Sequence, residues 1–219
     1  MVSRKKIIEM IETGENLTTE FKQRFSTHEK IAKEMIAFAN TRGGFLLIGV
    51  DDDKSIYGIE SEKSDVELIK ETAEKFCEPQ IDYAIDCISI NNKDILCIQI
   101  FESKNKPHRI QDYKSSLDLN SAQVYIRIND KSVLASKEMI KILQSQTREQ
   151  SLKHYEIGKE EKIVFEFLDK NEKITVKELG KIANISDRRA SRTLIKLVRA
   201  NLLFIHIKEN GESFFTYAG

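Results

Sequence analysis

Residues 37–53 read AFANTRGGFLLIGVDDD, and few folds can accommodate so abrupt a change of pattern. Upstream, Ile31, Met35, Phe38 and Ala39 recur at helical spacing, so 27–40 is expected to be an amphipathic helix with Lys30, Lys33 and Glu34 outside. Thr41-Arg42-Gly43-Gly44 should stop it, because glycine accepts the positive φ that a helix C-terminus asks for. The apolar run 45–50 then reads as a strand buried on both faces, and Asp51-Asp52-Asp53-Lys54 as the turn after it. A buried strand directly behind a helix demands a sheet covered on both sides, which a chain of 219 residues, 40% hydrophobic, has the material to build.

The flanking sequence fills in that sheet. Residues 4–12 predict a short helix, and 17–22 alternate with the period of a strand. Residues 55–59 are expected to return as a strand, and Ser64-Asp65-Val66-Glu67 matches a capping box opening a helix to about Cys77. Strands are expected over 81–90 and 94–101, joined by Asn91-Asn92-Lys93, and again over 124–128. Between them, 102–122 is polar and carries Lys104, Lys106, His108, Arg109 and Lys114; a stretch of that length without structure is usually functional. Ser136 caps a further helix running to about Gln150.

Apolar periodicity fades over 144–159, and the domain junction is placed there: a first domain over 1–150, a linker over 151–158 and a second domain over 159–219. In the last of these, Ile163, Val164, Phe167 and Leu168 share one helix face. Thr175-Val176-Lys177-Glu178 is a capping box for a second helix, and Ser186 caps a third that turns Ala190, Leu194, Leu197 and Val198 inward. Segments 203–207 and 213–217 flank Asn210-Gly211, a strong hairpin signal. Three helices and a hairpin in this order describe a winged helix-turn-helix.

The third helix carries the clearest binding signal. Arg188, Arg192, Lys196 and Arg199 stack along one side, with Arg189 beside them, opposite the apolar set. Guanidinium groups near a helix N-terminus suit phosphates and guanine edges; the alternative is a solvated basic face on an ordinary amphipathic helix. Lys208 on the hairpin, and Arg127 and Arg109 in the first domain, are further candidate DNA contacts. Overall charge is zero, but 159–219 carries 12 Lys and Arg against 9 Asp and Glu, and the remainder 23 against 26. A basic end on an acidic body hints at a division of labour.

Other classes are excluded more simply. The longest apolar run, 45–50, is far short of the ~20 residues of a membrane span. The basic N-terminus has no apolar stretch resembling a signal peptide. Cys77, Cys87 and Cys97 form no CxxC or Cys/His cluster and read as reduced, small hydrophobic residues, which points to the cytoplasm. Gly44 and Gly49 have Walker spacing, but Val50-Asp51 follows where Lys-Ser/Thr is required, so a P-loop ATPase is rejected.

GENLTTEFK, the helix ending AFANTRGG, then FLLIGVDDD and YGI resemble the Schlafen AlbA-type domain family, as do the hairpin, Lys106-Pro107 and the edge strand Tyr125-Ile126-Arg127 that follow. The resemblance spans 14–133 and implies an α+β fold, a mixed α/β domain followed here by the small winged unit. Many bacterial members with such a C-terminal unit are labelled predicted transcriptional regulators. Asn129-Asp130 replaces the family's small Gly-Ser turn, so the resemblance does not carry over a phosphate nest there.

Two function classes follow. The favoured one is a DNA-binding transcriptional regulator that takes duplex DNA over RNA, requires no cofactor, and works as a homodimer on a two-fold operator. The other comes from the family's nuclease branch, whose two glutamates five residues apart and Asp after IGV correspond to Glu15, Glu20 and Asp52, with Asp51 the weaker third member. Such a set would hold Mg²⁺ or Mn²⁺ and cleave tRNA or rRNA. Against it stand plainer roles: Glu20 paired with Lys22 on a strand, Glu15 in a turn, and 51–53 as a solvated turn. A third possibility, a non-enzymatic module binding a protein partner through 102–122, has no specific residue in its favour.

Overall fold

In the computed structural model, residues 2–147 and 157–218 are described. Part of the expected junction, including Leu152 and Tyr155 and most of the 151–158 linker, lies outside them. The chain divides into two units after Leu134.

The first unit opens with helix α1 (Arg4–Thr13), capped by Ser3, and strand β1 (Thr19–Lys22). Helix α2 (His28–Asn40), capped by Thr27, leads into β2 (Gly44–Ile48). Helix α3 (Glu62–Glu71) widens into a π-helical turn over Thr72–Phe76, followed by the two-residue β3 (Cys77–Glu78). The hairpin β4 (Tyr83–Ile90) and β5 (Lys93–Ile100), the short β6 (Arg109–Ile110), and the hairpin β7 (Tyr125–Ile128) and β8 (Lys131–Leu134) complete it.

Four strands form one sheet in the order β1-β2-β5-β4, parallel between β1 and β2 and antiparallel elsewhere. Strand alternation explains why the 45–50 run is apolar throughout. Leu47, Ile95 and Cys97 join Phe21, Ile7 and Ile11 in a cluster under α1. Leu46, Ile48, Leu96 and Ile98 join Ile31, Met35, Ile36 and Phe38 in another under α2. Both faces of β2 and β5 are therefore core, the condition under which a strand loses its polar alternation.

Several local expectations change. Segment 55–59 forms only a bridge, Val50 to Ile56, because the Tyr57 and Gly58 amides both turn back onto the Gly49 carbonyl at 2.9 Å. Ser61, not Ser64, caps α3, its hydroxyl accepting the Ser64 amide at 3.4 Å. The β4–β5 turn is the two residues Asn91-Asn92, both at positive φ (52° and 60°), the geometry that fits a right-twisted hairpin. The 102–122 segment is anchored rather than structureless: β6 pairs with β3, and the Ile110 amide donates to the Gln123 carbonyl. Strand β8 adds to the pattern an element that its KSVL sequence does not advertise.

The second unit begins with α4 (Lys137–Thr147), capped by Ser136. The sequence assigns that helix to the first domain, but it groups with the second, where the Ser191 hydroxyl donates to the Glu138 carboxylate at 2.7 Å. Helix α5 (Lys159–Leu168), α6 (Val176–Ile182) and α7 (Asp187–Arg199) follow, then the hairpin β9 (Leu203–Ile207) and β10 (Ser213–Tyr217). Val164, Leu168, Ile174, Leu179, Leu194, Leu197, Leu203 and Phe215 make its core. Thr175 and Glu178 form the full capping box expected of α6. Ile174 bridges Phe215, fastening the hairpin to the segment before α6. Its turn is wider than Asn-Gly alone suggests: the Lys208 amide reaches the Glu212 carbonyl, and only Gly211 takes positive φ (83°).

Candidate nucleic-acid interface and acidic cluster

Helix α7 packs on several sides at once. Ala190, Leu194 and Leu197 enter the core, Ser191 meets Glu138, and the Thr193 hydroxyl donates to Glu160 at 2.9 Å. What remains outside is Asp187 in the first turn and a narrow stripe of Arg188, Arg189, Arg192 and Lys196, all exposed, with Arg199 half-buried at its end. Arg189 is drawn into an ion pair with Glu160 while staying two-thirds exposed. Ser186 accepts the Arg189 amide, so the arginines cluster at a capped N-terminus whose remaining N–H groups and dipole also favour an anion. Lys208, on the hairpin, is exposed and paired with Glu212 at 3.3 Å.

The two candidates in the first unit do not join this surface. Arg127 is a DNA contact on the sequence reading, but its side chain is 0% exposed. Its Nη1 donates to Glu20 at 2.8 Å, to Glu34 at 3.2 Å and to Ser132 at 3.2 Å, its Nη2 to the Asn16 carbonyl at 2.7 Å, and its guanidinium lies over the Phe38 ring. Arg109 is also buried; it donates to Asp112 and to the Lys114 carbonyl, folding its own loop around it. Both correct the sequence expectation for one reason: a basic residue next to strand residues reads the same whether its partner is a phosphate or a carboxylate of the same chain.

Arg127 is instead the centre of the acidic cluster. Alternation along β1 sends Phe21 under α1 and Glu20 to the opposite side, where α2 and the β7–β8 hairpin meet. Glu20 is 7% exposed, and both its oxygens are taken: Oε1 by the Lys22 ammonium at 2.5 Å, Oε2 by Arg127. Glu34, expected on the outer face of α2, is equally buried and also accepts from Ser132. It occupies the i+3 place between Ile31 and Met35, so the apolar face itself signals its burial. Burial pulls the Lys22 pKa down, but the hydrogen bond and charge of Glu20, with Glu34 and Glu15, outweigh it and leave that pKa raised.

Glu15 and Asp52 lie near Glu20 but make no hydrogen bond to Arg127. The Glu15 carboxylate accepts the Phe21 amide at 2.8 Å; burial raises its pKa, the amide opposes, and the charges of Glu20 and Asp52 raise it further. Asp52 is exposed in a tight turn in which the Asp51 carboxylate accepts the Asp52 amide and Asp53 the Ser55 amide. A divalent ion between Glu15, Glu20 and Asp52 would compete with Lys22 and Arg127 for the Glu20 carboxylate. Among the described residues no group of three or more His, Cys, Asp or Glu side chains is arranged to hold a metal. The set does not fit Mg²⁺ or Mn²⁺ as it is arranged.

The motif residues around Gly43 and Gly44 serve packing. A Cβ on Gly44 would overlap the Phe38 ring, and one on Gly43, at φ 70°, would lie 2.6 Å from the Ile100 carbonyl oxygen. Asn40 closes the helix onto two distant segments: its amide donates to the carbonyls of His108 and Tyr125 at 2.9 Å and accepts the His108 amide at 2.7 Å. The His108 ring is buried, with Nδ1 on the Pro79 carbonyl at 2.8 Å and Nε2 without a partner. The three cysteines are free; burial pushes the Cys77 and Cys97 thiols up to about 12, and burial with Glu62 and Asp94 pushes Cys87 up to about 11, as expected of inert packing residues. Among the described residues no helix is long and apolar enough to cross a membrane.

Comparison with known proteins places most of the first unit. Residues 15–136 match the Schlafen, AlbA_2 family model. A solved structure of a protein from Corynebacterium diphtheriae is similar, at 19% identity and a TM-score of 0.43, over 59% of this chain; the chain spans only 27% of that protein's length. The N-terminal domain of a RecG-related protein from Nitrosomonas europaea is similar at 22% identity and a TM-score of 0.40, covering 53% of this chain and 84% of that one.

Proposed function

This chain belongs to the Schlafen AlbA_2 family, and from that premise we propose that it is a nucleic-acid-binding protein that engages duplex DNA through α7 and acts as a transcriptional regulator. The observation that carries the reading is the exposed stripe Arg188, Arg189, Arg192 and Lys196 on a helix whose other sides are core. A single helix bearing a basic edge has the width of a major groove, and its first turn presents arginines where phosphates and guanine edges are met. The capping box on α6, the short turn into α7 and the bridged hairpin support a winged helix-turn-helix as the frame. A homodimer suits this role, because two copies of one short stripe read a two-fold site.

Anisotropy of a labelled duplex at low salt tests it. The Arg188→Ala/Arg192→Ala variant should bind more weakly, and the slope of log K against log salt should shrink by about 1 for each phosphate no longer neutralised. Affinity and slope equal to those of the unaltered protein sink the reading. A duplex RNA of the same sequence should bind less well, since its deep, narrow major groove excludes the helix.

A further inference from the structure

The β9–β10 hairpin has one face in the core and one outside. Leu203 and Phe215 point inward, so alternation turns Phe204 and His206 of β9 outward, paired in register with Thr216 and Phe214 of β10. On that outer face the His206 and Phe214 rings are stacked, centroids 4.9 Å apart and 12° from parallel, and Phe204 is 55% exposed. The exposed Lys173 ammonium lies 5.5 Å from the Phe214 centroid, and no ion pair is seen for it among the described residues. Thr216 fixes the imidazole from the side, 2.9 Å from Nε2. Three aromatic rings and a neighbouring lysine on the outer face are unusual on a hairpin of five-residue strands, where the outer positions ordinarily take polar side chains.

We propose that this face binds unpaired nucleotides of a single-stranded nucleic acid, bases stacking on Phe204 and on the face of His206 turned away from Phe214 while Lys173 meets the phosphates. The spacing suits such a ligand. Phe204 and His206, two residues apart on one strand, are about 6.6 Å apart, roughly twice the ~3.4 Å separation of bases still stacked in a helix. A splayed strand can place one base on each; a duplex cannot, because its base faces are already covered. Charge favours a polyanion over a second copy of this chain: an identical face brings another lysine, whereas phosphate supplies a counter-charge, within a segment of 12 basic against 9 acidic residues. This site is separate from the α7 stripe and does not rest on the duplex reading.

The chain contains no tryptophan, so Phe204→Trp introduces a single reporter into the full protein. Titration with a 12-nucleotide oligo(dT) or oligo(U) should quench its emission, and the same length of blunt duplex should not. Phe204→Ala should weaken oligo(dT) binding by about 5- to 150-fold, the range that removal of one stacked base implies, while duplex binding and the circular-dichroism melting curve stay as they were. Arg192→Ala should do the reverse, which separates failure here from failure of α7. Unchanged oligo(dT) affinity in Phe204→Ala overturns the proposal. So does a light-scattering mass that drops from dimer to monomer in Phe204→Ala with no change in oligo(dT) affinity, which would assign the face to self-association.

Discussion

Replacing Arg127 by methionine tests whether the acidic cluster is structural. The guanidinium is fully buried and donates to Glu20 at 2.8 Å, to Glu34 at 3.2 Å, to Ser132 at 3.2 Å and to the Asn16 carbonyl at 2.7 Å. Methionine fills much of the same volume over Phe38 but leaves two carboxylates facing one another in a site with little water. Lys22 can still serve Glu20, and Lys33, 3.9 Å from Glu34, can offset part of the second charge. Breaking a buried pair by removing one partner costs about 3–5 kcal/mol, a large share of the ~5–15 kcal/mol that holds a domain folded. With an m-value of about 2 kcal/mol/M, the urea midpoint should fall by about 2 M. A chain of two units need not unfold in one step, so the midpoint is best followed by hydrogen exchange of peptides covering β1 and α2. The companion Glu20→Gln/Glu34→Gln/Arg127→Met should recover most of the stability, since no charge is then stranded. A midpoint that moves by less than about 0.5 M in Arg127→Met would show that the cluster does not hold this unit together.

Further expectations follow from the same geometry. Glu20→Gln should lower the melting temperature, and millimolar Mn²⁺ should shift neither it nor the unaltered protein; a manganese-dependent rise that Glu20→Gln abolishes would restore the metal reading. Burial holds the His108 pKa below its usual 6.5, with the Pro79 carbonyl and Asp82 opposing. The unfolded chain therefore takes up this proton first as pH falls: the stabilisation is complete above 6.5 and is lost progressively below it, until the folded imidazole also protonates. The difference in melting temperature between the protein and His108→Gln should accordingly narrow between about pH 7.5 and about pH 5.5; a constant difference refutes the assignment.

What can be read from the amino acids alone is what depends on neighbours in sequence. The helix-to-strand change at 37–48, the capping box at Thr175 and the hairpin at Asn91-Asn92 are each decided within a short local stretch, and each stands where it is expected. The reading weakens where partners are remote. Nothing local distinguishes an Arg127 that meets phosphate from one that meets Glu20, a residue 107 positions away. Asn40 looks like part of a helix end, yet its work is done 68 and 85 positions away, on His108 and Tyr125. Ser136 and its helix are legible, but the unit the helix joins shows only in remote contacts such as Glu138 with Ser191 and Ser136 with Ser213. Of the candidate site, the α7 stripe is legible because core and surface alternate on a single helix. Of the acidic set, the carboxylates are legible but not the cations that lie between them, Lys22 and Arg127.

The distance in sequence between Arg127 and its partners also bears on register. Glu20 and Glu34 precede by 107 and 93 positions the arginine that neutralises them, so the contact between α2 and β1 is complete only when the β7–β8 hairpin is in place. That hairpin must then dock in a single alignment. Shifted by one residue, it would offer Ile126 or Ile128 to the two carboxylates and carry the guanidinium to the other side of the strand. The buried charges thus favour one alignment: a misaligned hairpin leaves the two acids with only Lys22 and Lys33 to offset them.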